Sequence, residues 1–495
     1  MHLPIFYNAL LLTGVNLLLR MVSTGFQVYI SGCIGAAGVG LLQLVLSVGS
    51  LAMTAGIAGV RTATMYLTAE ELGKKRAGNV RWVLSGCLSY SVLTSGAVSL
   101  LLYSFAPQIA CFWVGLPETA EAIRLFACFV PINCLTGAMV GYFTAANRIG
   151  TLALVEVAEQ LFSMAITICL LTFWAGTDPV RACQSIIFGG GLAGCFTLIC
   201  LMVLRIAEKA PTTPRITIRS RLLHTAVPLA LADDLKAGIS TTENLMVPKR
   251  LALYPAIGNP LAAFGVVSGM VFPVLMFPAS IVYSLAELLI PELARCNAAG
   301  SKKRIRYLVK RSLKVTLLYG CFFGGLEFLV GRALCVRLYQ NTEAGSFLQL
   351  YALLIPMLYC DAITDAMTKG LGQQKACVRY NILTSFLDVV FLFILLPRLG
   401  MTGYFVSFFV THLLNFLLSI RRLFHITKLR ISWKVVIFAI LATGGSIFIA
   451  GHIYTPLWRG VFFGIILVCM LFLMQVLKKE DVLWVKGLIK KSPHL

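Results

Sequence analysis

Charge is what this 495-residue chain has least of: 13% of its residues are Asp, Glu, Lys or Arg, against 58% hydrophobic. Soluble domains carry about 25% charged residues, so there is little room for one here. Acidic residues are scarcer than basic ones, 20 against 42. The 6 His include no pair at i,i+4, and the 15 Cys are scattered singly with no CxxC and no His at ligand spacing. That argues against a metal site and leaves the cysteines as small apolar residues. No Walker-type glycine loop is present, so ATP-driven machinery is not expected. Nor is a cleavable signal expected, because Met1 to Tyr7 lacks Lys and Arg and the first apolar span runs too long. Ile30-Ser31-Gly32-Cys33 mimics a lipoprotein processing site, but Arg20 interrupts the segment before it and the match is read as coincidence.

Apolar runs are what the chain has in abundance, with a mean hydropathy of +0.86. Fourteen segments of about 20 residues each are long enough to span a bilayer, with centres near residues 20, 51, 94, 132, 162, 194, 235, 277, 324, 357, 388, 411, 443 and 468. The expected fold is all-α, a polytopic membrane protein of fourteen transmembrane helices. A net charge of +22 would suit a nucleic-acid partner. Placement argues otherwise, because most basic residues fall in alternate loops such as Lys74 to Arg81, Lys302 to Lys314 and Lys478 to Lys491. This positive-inside bias puts both termini in the cytoplasm of a cell-membrane protein.

Two stretches repeat. Tyr66-Leu-Thr-Ala-Glu-Glu-Leu followed by Gly-Lys-Lys-Arg echoes Leu289-Ile-Pro-Glu-Leu-Ala-Arg followed by Ser-Lys-Lys-Arg, and Thr144-Ala-Ala-Asn-Arg-Ile-Gly lines up with Gly370-Leu-Gly-Gln-Gln-Lys-Ala. Six spans per copy give parallel lobes. The expected domains are a six-helix lobe over 1–207, a basic linker over 208–222, a second lobe over 223–424, two added helices over 425–477 and a basic tail over 478–495.

The polar residues inside spans carry the functional reading. In Pro228 to Arg250, helical spacing puts Asp233, Lys236, Ser240 and Glu243 on one face. Charges at that depth face a bundle interior or a wet cavity. The first span carries Asn16, Arg20, Ser23, Gln27 and Ser31, and the second Gln43, Ser47, Ser50, Thr54 and Arg61, each expected as one continuous stripe. Interhelical hydrogen bonding accounts for the hydroxyls. The two arginines favour a cavity lining instead. Glu156, Glu159, Asp361, Asp365 and Asp388 are read either as H⁺ or Na⁺ coupling sites or as partners for neighbouring bases. His412 is read as a packing residue. Pro273 and Pro278 should kink the eighth span, with Glu287 beyond them, as a gating helix.

The run Gly269-Met-Val-Phe-Pro-Val-Leu-Met-Phe-Pro-Ala with Ser284-Leu-Ala-Glu-Leu-Leu-Ile-Pro-Glu resembles the eighth-helix signature of the stage V sporulation protein B group. Glu243-Asn-Leu-Met-Val-Pro-Lys-Arg-Leu resembles the end of that group's seventh helix, and Gly38-Val-Gly-Leu-Leu-Gln-Leu and Lys369-Gly-Leu-Gly-Gln-Gln-Lys also match in place. The group sits with polysaccharide exporters, lipid II flippases and multidrug extruders in one superfamily. The resemblance implies a MATE-like pair of six-helix lobes with a central cavity, no enzymatic activity, and export of a polyprenyl pyrophosphate-linked saccharide by alternating access. It puts Arg20 where lipid II flippases keep a cavity arginine, while Asp233, Asp234 and Glu243 make this cavity less cationic. The partners expected are that lipid-linked saccharide and membrane lipids, with the chain a monomer and no cofactor beyond H⁺ or Na⁺. The rival reading is an H⁺- or Na⁺-coupled multidrug extruder of the same fold. A membrane enzyme would need a large external loop or a partnered intramembrane His, and neither is seen. A pure scaffold leaves the charged stripes unexplained.

Overall fold

The computed structural model describes residues 3–74, 76–176, 178–207, 218–429 and 433–477; most of the expected linker and the whole basic tail lie outside them. Over the described residues the chain is helical throughout, and it is a multi-pass membrane protein. Ten helices are long and apolar enough to cross a membrane, and two bent pairs bring the number to twelve. Two further spans follow from geometry. Helix α1, Leu3–Ile57, has 55 residues, which straight would reach about 80 Å, over twice a hydrocarbon core of about 30 Å. It is broken at Gly35, with φ 66 and ψ 178, a conformation essentially confined to glycine. The first two spans therefore meet at one residue. Helix α7, Arg219–Leu251, is 33 residues long and escapes a length-and-hydropathy criterion only because its centre is polar. These two are consistent with the fourteen spans expected.

The chain divides into two compact units, one ending at Gly265 and the other beginning at Val266. Packing thus divides the chain elsewhere than the repeat does, and the seventh helix falls in the first unit. The first unit continues from α1 through α2 (Val60–Gly73), α3 (Val80–Gln108), α4 (Ala120–Ala145), α5 (Ile149–Leu170) and α6 (Pro179–Ile206) to α7 and the short α8 (Pro260–Gly265). Helix α6 starts at a capped turn, with the Asp178 carboxylate accepting from the Val180 N–H at 2.9 Å. Helix α8 lies against α1 because both sides are glycine: a Cβ on Gly40 would strike the Leu261 carbonyl, and one on Gly265 the Ala36 carbonyl.

The second unit holds α9 (Phe272–Leu275), α10 (Ala279–Ala298), α11 (Lys302–Tyr339), α12 (Thr342–Ala352), α13 (Ile355–Gly370), α14 (Gln374–Leu399), α15 (Met401–Thr427), α16 (Trp433–Gly451) and α17 (Pro456–Leu473). The eighth span bends by 62° between Leu275 and Ala279, at Pro278 as expected. The tenth span also bends, by 57° between Ala352 and Ile355, just ahead of Pro356. This second break goes beyond the sequence expectation. Proline offers no N–H and its ring crowds the carbonyl of the preceding turn, and Leu-Leu-Ile-Pro is the local signal for it. Helices α16 and α17 pack on α11 around Cys321, Leu329 and Phe463.

Candidate substrate cavity

Serine 47 is where the site is assembled. It lies on α1 beyond the Gly35 break, and its hydroxyl donates to the Gln43 carbonyl at 2.8 Å. Its oxygen accepts from Asn244 Nδ2 at 3.0 Å, and its backbone carbonyl accepts from the Thr241 hydroxyl at 3.1 Å. Both partners belong to α7. Two neutral hydrogen bonds therefore hold the polar seventh helix to the second half of α1.

Beside this seam a cavity of about 640 Å³ opens between the two helices. Gln43, Ser47, Ser50 and Thr54 line it from α1, and Asp233, Lys236, Ser240, Thr241 and Asn244 from α7. Gly59 and Ile57 also line it. The polar part of the lining is hydroxyls and amides, with one carboxylate and one ammonium, both exposed, and Leu46, Ile57 and Ala237 supply an apolar part. Such a surface can hydrogen-bond a polyhydroxylated group and hold one anion.

Of the sequence-derived candidates, Gln43, Asp233, Lys236 and Ser240 meet here. Arg20, Gln27, Arg61 and Glu243 are not among the lining residues, and the side chain of Asn16 lies outside those described. The stripes were expected to be continuous, and the backbone corrects this. Arg20 and Gln27 precede the Gly35 break, so they belong to a different helix segment. Arg61 follows a second break, where Ala58 and Gly59 have φ of 43 and 72. It leaves the row that ends at Thr54 and is exposed on α2, close enough to Glu156 on α5 for their charges to attract. Glu243 stands about 80° around α7 from Asp233, at the edge of the lining arc. Thr241 and Asn244, which the sequence did not single out, lie on the other side of the same arc.

At the far end of α7, Arg221 bonds Glu71 at 2.8 Å and Glu70 at 2.7 Å, tying α7 to the end of α2. Asn79 donates to Glu71 at 2.9 Å and Lys74 pairs with Glu70 at 2.5 Å. In the second copy of this motif Glu292 pairs with Arg304 at 2.6 Å. In both copies an acid is answered by a base of the Lys-Lys-Arg run that follows.

The acids proposed for ion coupling separate into two groups. Glu156 and Glu159 are half-buried on α5 in the first unit. In the second unit Asp361 accepts from Asn415 at 3.0 and 3.2 Å, and Asp388 accepts from Ser407 at 2.5 Å and Thr411 at 3.2 Å. All three donors stand four residues apart on α15, so two carboxylates from α13 and α14 converge on one polar row. Asp365 instead pairs with Lys369 at 2.6 Å. His412 stacks on Phe408 at 3.9 Å with its Nδ1 2.9 Å from the Phe408 carbonyl, a packing arrangement. Pro273 lies in α9, Pro278 caps α10, and Glu287 is exposed on α10.

No family model matches the chain. It is 22% identical over 415 residues to Stage V sporulation protein B of Bacillus subtilis (strain 168), covering 80% of this chain and 79% of that protein. The chain is homologous to Stage V sporulation protein B. A second relative, Sporulation protein YkvU of the same organism, is 21% identical over 293 residues, 55% of this chain and 64% of the relative. Among solved structures, lipid II flippase MurJ in an inward closed conformation superposes with a TM-score of 0.69 at 13% identity, over 96% of this chain and all of that one. An inward-facing multidrug resistance MATE family transporter of the MOP superfamily gives 0.64 at 15% identity, over 85% of this chain and 100% of that one. At these identities the structures establish a shared fold, and the sporulation relative supplies the homology.

Proposed function

We propose that the chain is a flippase that moves a polyprenyl pyrophosphate-linked oligosaccharide or cell-wall precursor from the inner to the outer leaflet. The observation that carries the reading is the hydroxyl- and amide-lined cavity of about 640 Å³ on membrane-embedded helices. A sugar headgroup crossing hydrocarbon loses many hydrogen bonds, each costing a few kcal/mol. Gln43, Ser240 and Asp233 offer it replacements, while a polyprenyl tail stays in lipid. Lys236 in the cavity, with Arg20 and Arg61 on the neighbouring segments, supplies charge for the phosphates. Outward movement of an anionic headgroup is favoured by an inside-negative potential, by about 2.3 kcal/mol per charge per 100 mV. The distribution of Lys and Arg supports a cytoplasmic position for both termini.

A second reading, a cation-coupled multidrug extruder, is favoured by the half-buried Asp361 and Asp388 sharing the α15 row. The deciding experiment measures translocation of fluorescent polyprenyl-pyrophosphate sugar in proteoliposomes. It compares wild type with Lys236→Ala, Arg20→Ala and the loop control Lys302→Ala. Loss with the cavity lysine and retention with the control supports the flippase. Wild-type failure across several lipid-linked sugars, together with proton- or sodium-driven efflux of cationic dyes, selects the extruder.

A further inference from the structure

Glutamate 327 lies in the middle of an otherwise apolar run on α11 and belongs to none of the clusters described above. It is 7% exposed, and its Oε2 is buried with no hydrogen-bond partner. It is not in an ion pair among the described residues. A carboxylate in that position is strongly disfavoured, because an unpaired charge in hydrocarbon has nothing to replace its water. Any charge that formed there would have to be met by donors drawn from the surroundings.

Its surroundings are mechanical. Gly320, Gly324, Glu327 and Gly331 recur at spacings of 4, 3 and 4 and share one face of α11. That face lies against the break between α12 and α13. A Cβ at Gly320 would sit 2.7 Å from Pro356 Cα, one at Gly324 2.9 Å from the Ala352 carbonyl oxygen, and one at Gly331 2.9 Å from Leu348. Pro356 has no N–H to offer that Ala352 carbonyl, so the break presents an acceptor to α11. The other break is tied in by two tyrosines. Tyr319 of α11 donates to the Pro278 carbonyl at 2.8 Å, and Tyr359 of α13 donates to the Leu275 carbonyl at 3.2 Å. Their rings are 5.9 Å apart, and both lie within electrostatic range of Glu327.

We propose that Glu327 is a proton-binding site on the α11 face that packs on the helix breaks of the second unit, and that gaining or losing its proton shifts those breaks. Release breaks the carboxyl O–H bond, leaves the electron pair on the carboxylate and passes the proton to water. The new charge must find donors. Those at hand are the Tyr319 and Tyr359 hydroxyls, which now hold the Leu275–Pro278 turn. The other titratable group near Glu327 is Cys335, on α11 itself. Among charged residues of the elements packed on α11, Glu343 of α12, Lys434 of α16 and Arg459 of α17 stand in the first turns of their helices. On α13 Asp361 is bonded to Asn415 and Asp365 is paired with Lys369. On α10 Glu292 is paired with Arg304 while Glu287 and Arg295 are exposed, and His412 of α15 is stacked on Phe408. None supplies a counter-charge. Only the use of this switch in transport rests on the transporter reading; proton binding itself does not.

The test therefore reads protonation and backbone opening without substrate. Infrared difference spectra of the whole protein in lipid nanodiscs, titrated from acid to alkaline pH, should contain a protonated-carboxyl C=O band that is lost on alkalisation and absent from Glu327→Gln. Hydrogen exchange of peptides covering 275–279 and 352–356 should run several-fold faster in wild type than in Glu327→Gln at alkaline pH, and equally at acid pH. A band that persists at every pH, or equal exchange in the two proteins at alkaline pH, overturns the proposal. Should Glu327→Gln fail to fold, wild type labelled with ¹³C-carboxyl glutamate decides the matter alone. A shifted carboxyl band that titrates supports the site, and its absence overturns it.

Discussion

At the scale of single residues, the cavity depends on which side of α7 each polar group takes. Lys236 is exposed and needed by no packing contact, so Lys236→Ala should fold as wild type. Transport of the lipid-linked probe should fall about tenfold or more, the size of one lost charge-assisted bond, with partial recovery in Lys236→Arg. Ser47 behaves oppositely. Ser47→Ala removes the acceptor of Asn244, and unfolding in detergent should show a loss of about 1–2 kcal/mol. Arg221→Gln should cost only about 1 kcal/mol, because 39% exposure leaves that guanidinium to solvent screening. Helical periodicity made Asp233, Lys236 and Ser240 legible from the sequence. Thr241 and Asn244 were not legible, because their role is defined by Ser47, almost 200 residues earlier. Glu327 was hidden for another reason: a lone acid among Leu, Phe and Gly makes no stripe.

At the scale of elements, the breaks decide what a stripe can reach. The sequence showed Gln43 to Arg61 as one row, and the row holds only while the helix does. Ala58 and Gly59 turn left-handed and carry Arg61 away. Proline marked the bend at Pro278, and the same reasoning applied to Pro356 finds the bend of the tenth span. Glycine gave no such warning, since Gly35 stands among 42 glycines and most of those lie within ordinary helix. The row Ser407, Thr411, Asn415 and Ser419 on α15 is open to the same four-residue count, although only its partners Asp361 and Asp388 stood out by charge. Substituting Gly35 by Ala forces a side chain into φ 66, ψ 178. The expected cost is about 1–3 kcal/mol, seen as a lower unfolding midpoint and reduced monodisperse yield.

At the scale of the molecule, hydropathy and loop charge fixed more than any motif did. Thirteen of the fourteen segment centres fall on described helices, including the polar seventh, and the other, residue 277, falls in the bend of the eighth span; a bilayer demands about 20 residues per crossing whatever else a helix does. Packing was less legible: the repeat divides the chain after the sixth span, whereas the first compact unit runs on to Gly265. An even number of crossings with basic loops inside predicts that reporters fused after residue 477 and inserted near residue 212 are both cytoplasmic. One inserted after Gly176 should be extracytoplasmic. A fluorescent protein paired with alkaline phosphatase at each site reads this directly, and opposite signals at residues 212 and 477 would remove the fourteen-span topology.

The absence of any loop at Gly35 bears on how the protein is made. Two spans joined at one residue leave the ribosome with no linker between them, and the first of them carries Arg20 and a row of amides and hydroxyls that lipid alone receives poorly. Its insertion is then secured by the segment behind it, so the pair must enter the bilayer together. Truncated nascent chains ending between the two spans should remain extractable from the membrane, and chains that include both should not.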